Sequence, residues 1–110
     1  MKVENTKAQM RKGILEYCVL SILSEKECYP SEIIEQLKEA ELIVVEGTLY
    51  PLLTRLKNAE LLDYRWEESN AGPPRKYYGL TKEGESFLSE LKATWSILKK
   101  AVNQLENKTL

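Results

Sequence analysis

The sequence comprises 110 residues, of which 43% are hydrophobic and 30% are charged, and its formal net charge is -1. This size and balance are typical of one globular domain with a modest core, and they exclude a disordered chain. The sequence contains no histidine, no glycine-rich phosphate loop and no nucleophile elbow, so the commonest general base and the commonest nitrogen ligand for zinc are missing. We therefore expect a protein that is not an enzyme and that needs no metal or cofactor.

The sequence also bears on location. No run is long and apolar enough to cross a membrane, and the N-terminal stretch MKVENTKAQMRKG lacks the apolar region of a signal peptide. These observations predict a cytoplasmic protein with no membrane partner. Cys18 and Cys28 fit that compartment as free thiols. Cys18 lies in an apolar helical pattern, which favours a packing role, whereas the role of Cys28 stays open.

The near-zero net charge hides a segregation of charge along the chain. Residues 1–12 carry four cations against one glutamate, a balance of +3, whereas residues 25–46 carry seven glutamates against two lysines, a balance of -5. Positive charge returns at Arg55, Lys57, Arg65, Arg75 and Lys76. Such a distribution allows one basic face on a nearly neutral molecule, and a basic face is what binds phosphate.

Apolar spacing predicts three helices in the first half of the chain, at about Thr6–Ser24, Pro30–Glu39 and Glu46–Ala59. The third helix has a buried face of Leu49, Leu52, Leu53 and Leu56, and its other face carries Thr48, Tyr50, Thr54, Arg55 and Lys57. Pro51 falls early in this helix, where a missing N–H costs least. A helix whose outer face is polar and only weakly acidic is suited to a DNA groove.

A hairpin follows the third helix. Leu62, Tyr64 and Trp66 alternate with polar residues and predict a strand, the segment from Ser69 to Pro74 predicts a turn, and Arg75–Leu80 forms the return strand. Arg75 and Lys76 stand beside the turn, where two cations suit contact with the DNA backbone or the minor groove. The alternative is solvated charge that protects an edge strand.

The order helix–helix–helix–hairpin makes the third helix the candidate reader of DNA. Thr48 and Tyr50 lie near its start and are expected at base edges or at the sugar–phosphate backbone, and Arg55 is placed to clamp a phosphate. The alternative is a threonine at a helix start and a tyrosine packed sideways.

The last helix is predicted from an N-cap at Thr81 to about Asn107. Its apolar residues follow steps of 3, 4, 3, 4 and 3, as in the contact stripe of a coiled coil: Leu88, Leu91, Trp95, Leu98, Val102 and Leu105. A helix of about 26 residues is about 40 Å long, too long to bury this stripe on its own small domain. A homodimer is the economical explanation. Trp95 either fills the dimer core or stacks on a planar ligand.

Two segments, TLYPLLTRL at 48–56 and GPPRKYYGLTKEG at 72–84, resemble the PadR family of bacterial transcriptional regulators in order and spacing. The resemblance covers nearly the whole chain and points to the short subfamily with a single C-terminal helix. It implies a mainly α fold with a small β-hairpin: a winged helix-turn-helix DNA-binding domain at 1–80 and a C-terminal dimerisation helix at 81–110. One departure is that Pro30-Ser31 stands where members often have Gly-Tyr, so that Tyr29 or the Ser31 hydroxyl is left to substitute.

The resemblance also implies function. The expected protein is a homodimeric repressor that binds double-stranded DNA at a palindromic operator and is released by a small molecule. The DNA-binding residues carried over are Thr48, Tyr50 and Pro51 in the reading helix and Arg75 and Lys76 in the wing. The first and last helices would form the dimer interface, through Ile14, Leu91, Trp95, Leu98, Val102 and Leu105.

Some short members bind flat aromatic drugs between paired tryptophans, and Trp95 falls at the matching place, which favours a planar aromatic or phenolic effector. A winged helix that binds only another protein stays as the alternative function, favoured by the weak overall charge.

Overall fold

The computed structural model describes residues 1–108, so the last two residues of the expected C-terminal segment 81–110 lie outside the described residues. The elements are α1 (Val3–Glu25), α2 (Pro30–Glu39), α3 (Glu46–Asn58), β1 (Leu62–Ser69), β2 (Gly72–Leu80) and α4 (Lys82–Glu106). This mainly α architecture with one antiparallel hairpin confirms the expected fold class. The first helix begins three residues earlier than its apolar pattern indicated, because its first turns are polar and exposed.

One apolar core joins the second half of α1 to α2, α3 and the base of the hairpin. Its buried members are Leu15, Val19, Leu20, Leu23, Cys28, Ile33, Leu37, Leu49, Leu52, Leu53, Leu56, Leu62 and Tyr78. No charged or polar residue among those described is buried in it. The first three turns of α1 and most of α4 lie outside this core. Within residues 1–108, none of the helices combines the length and hydrophobicity that a membrane crossing needs.

Helices α2 and α3 end in the same way, although neither is followed by glycine. Glu41 and Glu60 adopt positive φ values of 65° and 64°. After α2, Leu42 N–H donates to Leu37 O at 2.8 Å, and after α3, Leu61 N–H donates to Leu56 O at 3.0 Å. This is the Schellman pattern, in which a left-handed residue closes the helix and the next apolar residue folds back onto it.

The hairpin is anchored at its base and irregular near its tip. Leu62 pairs with Leu80, and Cys28 forms an additional bridge to Tyr78, with Tyr78 N–H donating to Cys28 O at 2.8 Å. The expected six-residue turn is shorter in the structure: only Asn70 and Ala71 turn, and β2 begins at Gly72. A bulge absorbs the two prolines that follow Gly72, and a two-stranded hairpin tolerates proline because both its strands are edges.

Thr81 joins α4 to the rest of the fold. Its Oγ1 accepts from Gly84 N–H at 2.9 Å, which confirms the predicted N-cap, and the same hydroxyl donates to Glu60 O at 2.7 Å. Gly84 lies so close to the α3–β1 connection that a Cβ there would clash with the carbonyl oxygen of Leu61. These contacts fix the direction in which α4 leaves the winged-helix body.

Candidate nucleic-acid interface

A cleft of about 480 Å³ lies between the start of α2, the exposed side of α3 and the wing, which we define as the hairpin β1–β2. It is lined on the helix side by Tyr29, which caps α2, and by Pro30, Ser31, Glu46, Tyr50 and Thr54. The wing residues that line it are Trp66, Pro74, Arg75, Lys76 and Tyr78. The cleft is bounded by the two parts of the molecule that the sequence assigned to DNA.

The periodicity of α3 explains which of its residues reach the cleft. Four leucines turn one side of the helix into the core, and Glu46, Tyr50 and Thr54 follow one another every four residues along the flank that faces the wing. Tyr50 is half-exposed there. The predicted contact residue Tyr50 is therefore in the cleft, together with Thr54, which was not among the predicted contact residues.

Thr48 and Arg55 lie on the opposite flank of α3, which faces α1. Thr48 lines a separate cavity of about 310 Å³ with Arg11 and Lys12 of α1. Arg55 Nη2 lies 3.3 Å from Glu16 Oε2. Both residues remain on the exposed arc of the helix, but the structure does not bring them together with Tyr50 in the cleft.

Pro51 occupies the middle of that exposed arc and lines none of the cavities described above. It is the sixth residue of α3. Only the N–H groups of a helix's first turn lack a helical acceptor, and Pro51 lies beyond that turn. Its missing N–H therefore removes the bond that the carbonyl of Gly47 would accept. The expectation that Pro51 falls where a missing N–H costs least is therefore wrong.

Two of the cations of the wing, Arg75 and Lys76, contact aromatic rings. The guanidinium carbon of Arg75 lies 4.4 Å from the ring centre of Tyr29, and Lys76 Nζ lies 4.3 Å from the ring centre of Tyr64. Neither cation forms an ion pair with any residue between 1 and 108. Cation–π contact orients a cation without cancelling its charge, so both stay available to an anion.

Arg65 contrasts with these two cations. Its Nε lies 2.9 Å from Glu27 Oε1 and its Nη1 lies 3.0 Å from Glu67 Oε2. Hydrogen bonds to these carboxylates raise the pKa of Arg65 above its usual range. Because two carboxylates balance its charge, Arg65 contributes little positive field to the wing, whereas Arg75 and Lys76 have no carboxylate within ion-pair distance among residues 1–108.

Tyr29 and Ser31 are the residues left to substitute where Pro30-Ser31 replaces the Gly-Tyr that is common in the PadR family. Both line the cleft at the start of α2, and Tyr29 also packs edge-on against Tyr77 of the wing at 5.2 Å between ring centres. Tyr29 N–H donates to Glu32 Oε1 at 3.1 Å, which fixes the first turn of α2. The structure thus has an aromatic ring, that of Tyr29, in the cleft directly before Pro30.

A second region of interest lies between α1 and α4. A cavity of about 240 Å³ is lined by Gly13, Ile14, Glu16, Tyr17, Leu91, Thr94, Trp95 and Leu98. We call it the Trp95 cavity. The rings of Trp95 and Tyr17 lie 6.4 Å apart at 43°. On the other side of Trp95, a groove of about 480 Å³ runs past Met10, Arg11, Ile14, Lys99, Val102 and Asn103.

The predicted interface residues share this region. Ile14 and Leu91 are partly buried, Trp95 is 37% exposed, and Leu98, Val102 and Leu105 are exposed by half or more. Leu91 also packs against the core. The stripe thus passes from the domain core toward solvent along α4, and its last three residues, Leu98, Val102 and Leu105, are at least half exposed within residues 1–108.

Sequence comparison agrees with this architecture. The model of the transcriptional regulator PadR-like family matches residues 19–90. A PadR-like transcription factor structure from Bacteroides fragilis is 63% identical, with a TM-score of 0.77 over 92% of this chain and 98% of that one.

Two further solved structures are similar. The PadR family regulator of Eggerthella lenta is 34% identical, with a TM-score of 0.85 over 97% of this chain and 94% of that one. The PadR-like regulator of Bacillus cereus is 39% identical, with a TM-score of 0.80 over 90% of this chain and 97% of that one. Since the family model spans well over half of its residues, the chain belongs to the PadR-like family of transcriptional regulators.

Proposed function

We propose that the protein is a sequence-specific DNA-binding regulator, which acts as a homodimeric repressor at a palindromic operator and is released by a small molecule. The observation that carries the proposal is the cleft in which Tyr50 faces the unpaired cations Arg75 and Lys76. A helix flank opposite a cationic hairpin is the arrangement by which a reading helix enters the major groove while a wing contacts the adjacent backbone.

Each predicted contact residue has a role in this proposal. Tyr50 contacts base edges or sugars from the wing flank of α3, and Thr48 does so from the other flank. Pro51 lies between them and presents a short apolar surface. Arg55 reaches a phosphate with the guanidinium donors that its bond to Glu16 leaves free. Arg75 and Lys76 hold the backbone beside the wing, where each phosphate contact displaces counterions.

The homodimer is supported by the exposed outer part of the α4 stripe. Several large apolar side chains in one row exceed the scattered exposure that is normal for a monomer. A two-fold axis would bury the stripe of each copy against α1 and α4 of the other and would place two reading helices side by side. The residues proposed for this interface are Ile14, Leu91, Trp95, Leu98, Val102 and Leu105. In this proposal residues 1–80 read DNA and the segment 81–110 forms the dimer.

The effector site is proposed at the Trp95 cavity. Trp95 and Tyr17 offer two aromatic faces, and Glu16 supplies the one carboxylate of the lining. These groups suit a planar aromatic molecule or a phenol, held by stacking and by a hydrogen bond. The site is continuous with the proposed interface, so occupancy would change how the two copies meet. The proposed regulator is cytoplasmic and has no catalytic role.

The test of DNA binding is a mobility-shift titration of the protein against its own promoter region. We expect saturable binding that weakens steeply with salt, and a loss of affinity in Arg75→Ala. If wild type and Arg75→Ala alike showed no saturable binding at low salt, a protein-interaction module would replace the proposal. Sedimentation of the free protein tests the dimer in the same preparation.

The test of the effector uses the two tryptophans. Planar aromatic cations or phenols should quench emission in a saturable way when Trp95 is present. In Trp95→Phe, Trp66 is the remaining tryptophan, and the saturable component should disappear. Unchanged quenching in that variant would place the ligand elsewhere.

A further inference from the structure

Trp66 is a large apolar residue that lies outside the core, in the cleft between α3 and the wing. Leu62, Tyr64 and Trp66 share one side of β1, and exposure along this row rises from a buried Leu62 to 37% at Tyr64 and 61% at Trp66. These three side chains therefore lie on the side of the hairpin that faces the core, but Tyr64 and Trp66 extend beyond the core itself. Trp66 therefore lines the cleft instead of the outer surface of the wing.

Contacts with its neighbours hold the Trp66 ring in position. Its ring meets Tyr64 edge-on, with centres 6.3 Å apart and planes at 88°, and Tyr64 in turn meets the buried Tyr78 at 5.6 Å. Lys76, its partner in the strand register, places Nζ 5.3 Å from the indole centre. A chain of three rings therefore connects Trp66 to the core, which restricts its movement.

From this placement we propose that Trp66 is a DNA-contacting residue, whose indole packs on the deoxyribose edge of the groove beside the wing. The proposal rests on the proposed DNA binding of this chain. Every duplex has sugars at the same positions, so the contact adds affinity without reading sequence. An anchored aromatic ring loses little conformational freedom on binding, which makes it an efficient contact.

The loss of Trp66 and the loss of its neighbour Lys76 should affect the salt dependence of DNA binding differently. Lysine at a phosphate releases counterions, so its loss lowers the slope of log affinity against log salt by about one unit for each contact. An indole on a sugar carries no charge. Its loss should lower affinity by the same factor at every salt concentration.

The principal experiment compares Trp66→Ala, Trp66→Phe and Lys76→Gln in salt titrations on operator DNA and on an unrelated duplex. We expect Trp66→Ala to weaken both complexes about tenfold, with Trp66→Phe intermediate and the salt slope unchanged. Thermal unfolding of each variant without DNA shows whether it is folded.

Two results would overturn the proposal while leaving DNA binding intact. Wild-type affinity in Trp66→Ala would remove the contact. A salt slope lowered as in Lys76→Gln would show that Trp66 only positions that lysine. If wild-type protein bound neither duplex, the failure would belong to the proposed function instead.

A second measurement does not depend on the alanine variant being folded. Duplex DNA should protect the wild-type protein's tryptophan emission from acrylamide, and this protection should be lost in Trp66→Phe, in which Trp95 is the remaining tryptophan. Equal protection in the two proteins would show that DNA does not cover Trp66.

Discussion

Arg55 of α3 and Glu16 of α1 form an ion pair, with 3.3 Å between Nη2 and Oε2, and Glu16 also lines the Trp95 cavity. The helix that carries Tyr50 is therefore linked by a polar contact to the wall of the proposed effector site. The Arg55 side chain is 66% exposed and that of Glu16 is 34% exposed. At such exposure the pair contributes at most about 1 kcal/mol, so it adjusts the position of Arg55 instead of holding the fold together.

The first prediction concerns this pair. Glu16→Gln keeps the shape of the side chain and removes its charge. The DNA phosphate then no longer competes with a carboxylate for the Arg55 guanidinium. We expect operator affinity to rise about two- to fivefold, since the pair is worth at most about 1 kcal/mol. Mobility-shift titration measures the change.

The matched control for Glu16→Gln is Glu25→Gln, at the C-terminal end of α1. It removes the same charge from an exposed glutamate that has no ion pair within residues 1–108. Equal gains in the two variants would mean that net charge, and not the release of Arg55, sets the affinity.

The second prediction separates the cations of the wing. Arg75→Gln should lower the slope of log affinity against log salt by about one unit, because an unpaired guanidinium is lost from the cleft. Arg65→Gln should leave the slope unchanged, since Glu27 and Glu67 already occupy that guanidinium. Equivalent slopes in the two variants would contradict the assignment of Arg75 to a phosphate.

The pattern of apolar residues was sufficient to predict the fold, but it did not predict which residues of α3 line the cleft. The four helices and the hairpin follow from periodicity and from the turn residues between them. Sequence placed Thr48, Tyr50 and Arg55 on the exposed arc of α3, where they are found. The sequence did not show that Tyr50 faces the wing whereas Thr48 and Arg55 face α1. That difference depends on where α1 and the wing pack against α3, and neither position is encoded within α3 itself.

Trp66 and the wing tip show a second limit of the sequence. Alternation put Trp66 on the apolar side of β1, but only the pairing with Lys76 places it in the cleft. That pairing depends on a bulge near Pro73 and Pro74, which alternation does not reveal. The ends of α2 and α3 were predicted to within one residue, but the left-handed conformations of Glu41 and Glu60 were not, because glutamate gives no signal for a left-handed residue.

The third prediction tests the dimer. Leu98→Asp places a charge in the middle of the exposed stripe of α4, where burial in an interface would leave it unpaired. We expect the variant to sediment as a monomer and to lose operator binding. Lys100→Asp, on the opposite side of the same helix, should stay dimeric. Dissociation of both variants, or of neither, would argue against an interface on the Leu98 side.

The fourth prediction concerns helix ends. Glu60→Gly should raise the free energy of unfolding by up to about 1 kcal/mol, because glycine adopts a positive φ without the steric cost that a Cβ brings. The gain is limited by the greater freedom of glycine in the unfolded chain. Chemical denaturation measures it, and an unstable Glu60→Gly would show that the glutamate side chain stabilises this end.

The fifth prediction is that Gly84→Ala destabilises the protein, although alanine normally favours a helix by about 1 kcal/mol over glycine. The added Cβ would clash with the carbonyl oxygen of Leu61, a backbone atom that cannot turn aside as a side chain does. Relief requires α4 to move away from the α3–β1 connection, which strains the bond between Thr81 N–H and Leu61 O. We expect a loss of about 1–3 kcal/mol in denaturant unfolding, the range for overpacked sites.

Gly47→Ala is the matched control for Gly84→Ala. A Cβ at Gly47 meets nothing within 4 Å, so only helix propensity acts there, and stability should rise by up to about 1 kcal/mol. Because α4 carries the proposed dimer stripe, displacement of its first turn should also change the distance between the two reading helices. Gly84→Ala should therefore lose operator affinity under conditions in which it is still folded, while Gly47→Ala keeps its stability gain. A stable Gly84→Ala with full operator affinity would show that α4 tolerates a shift at its start.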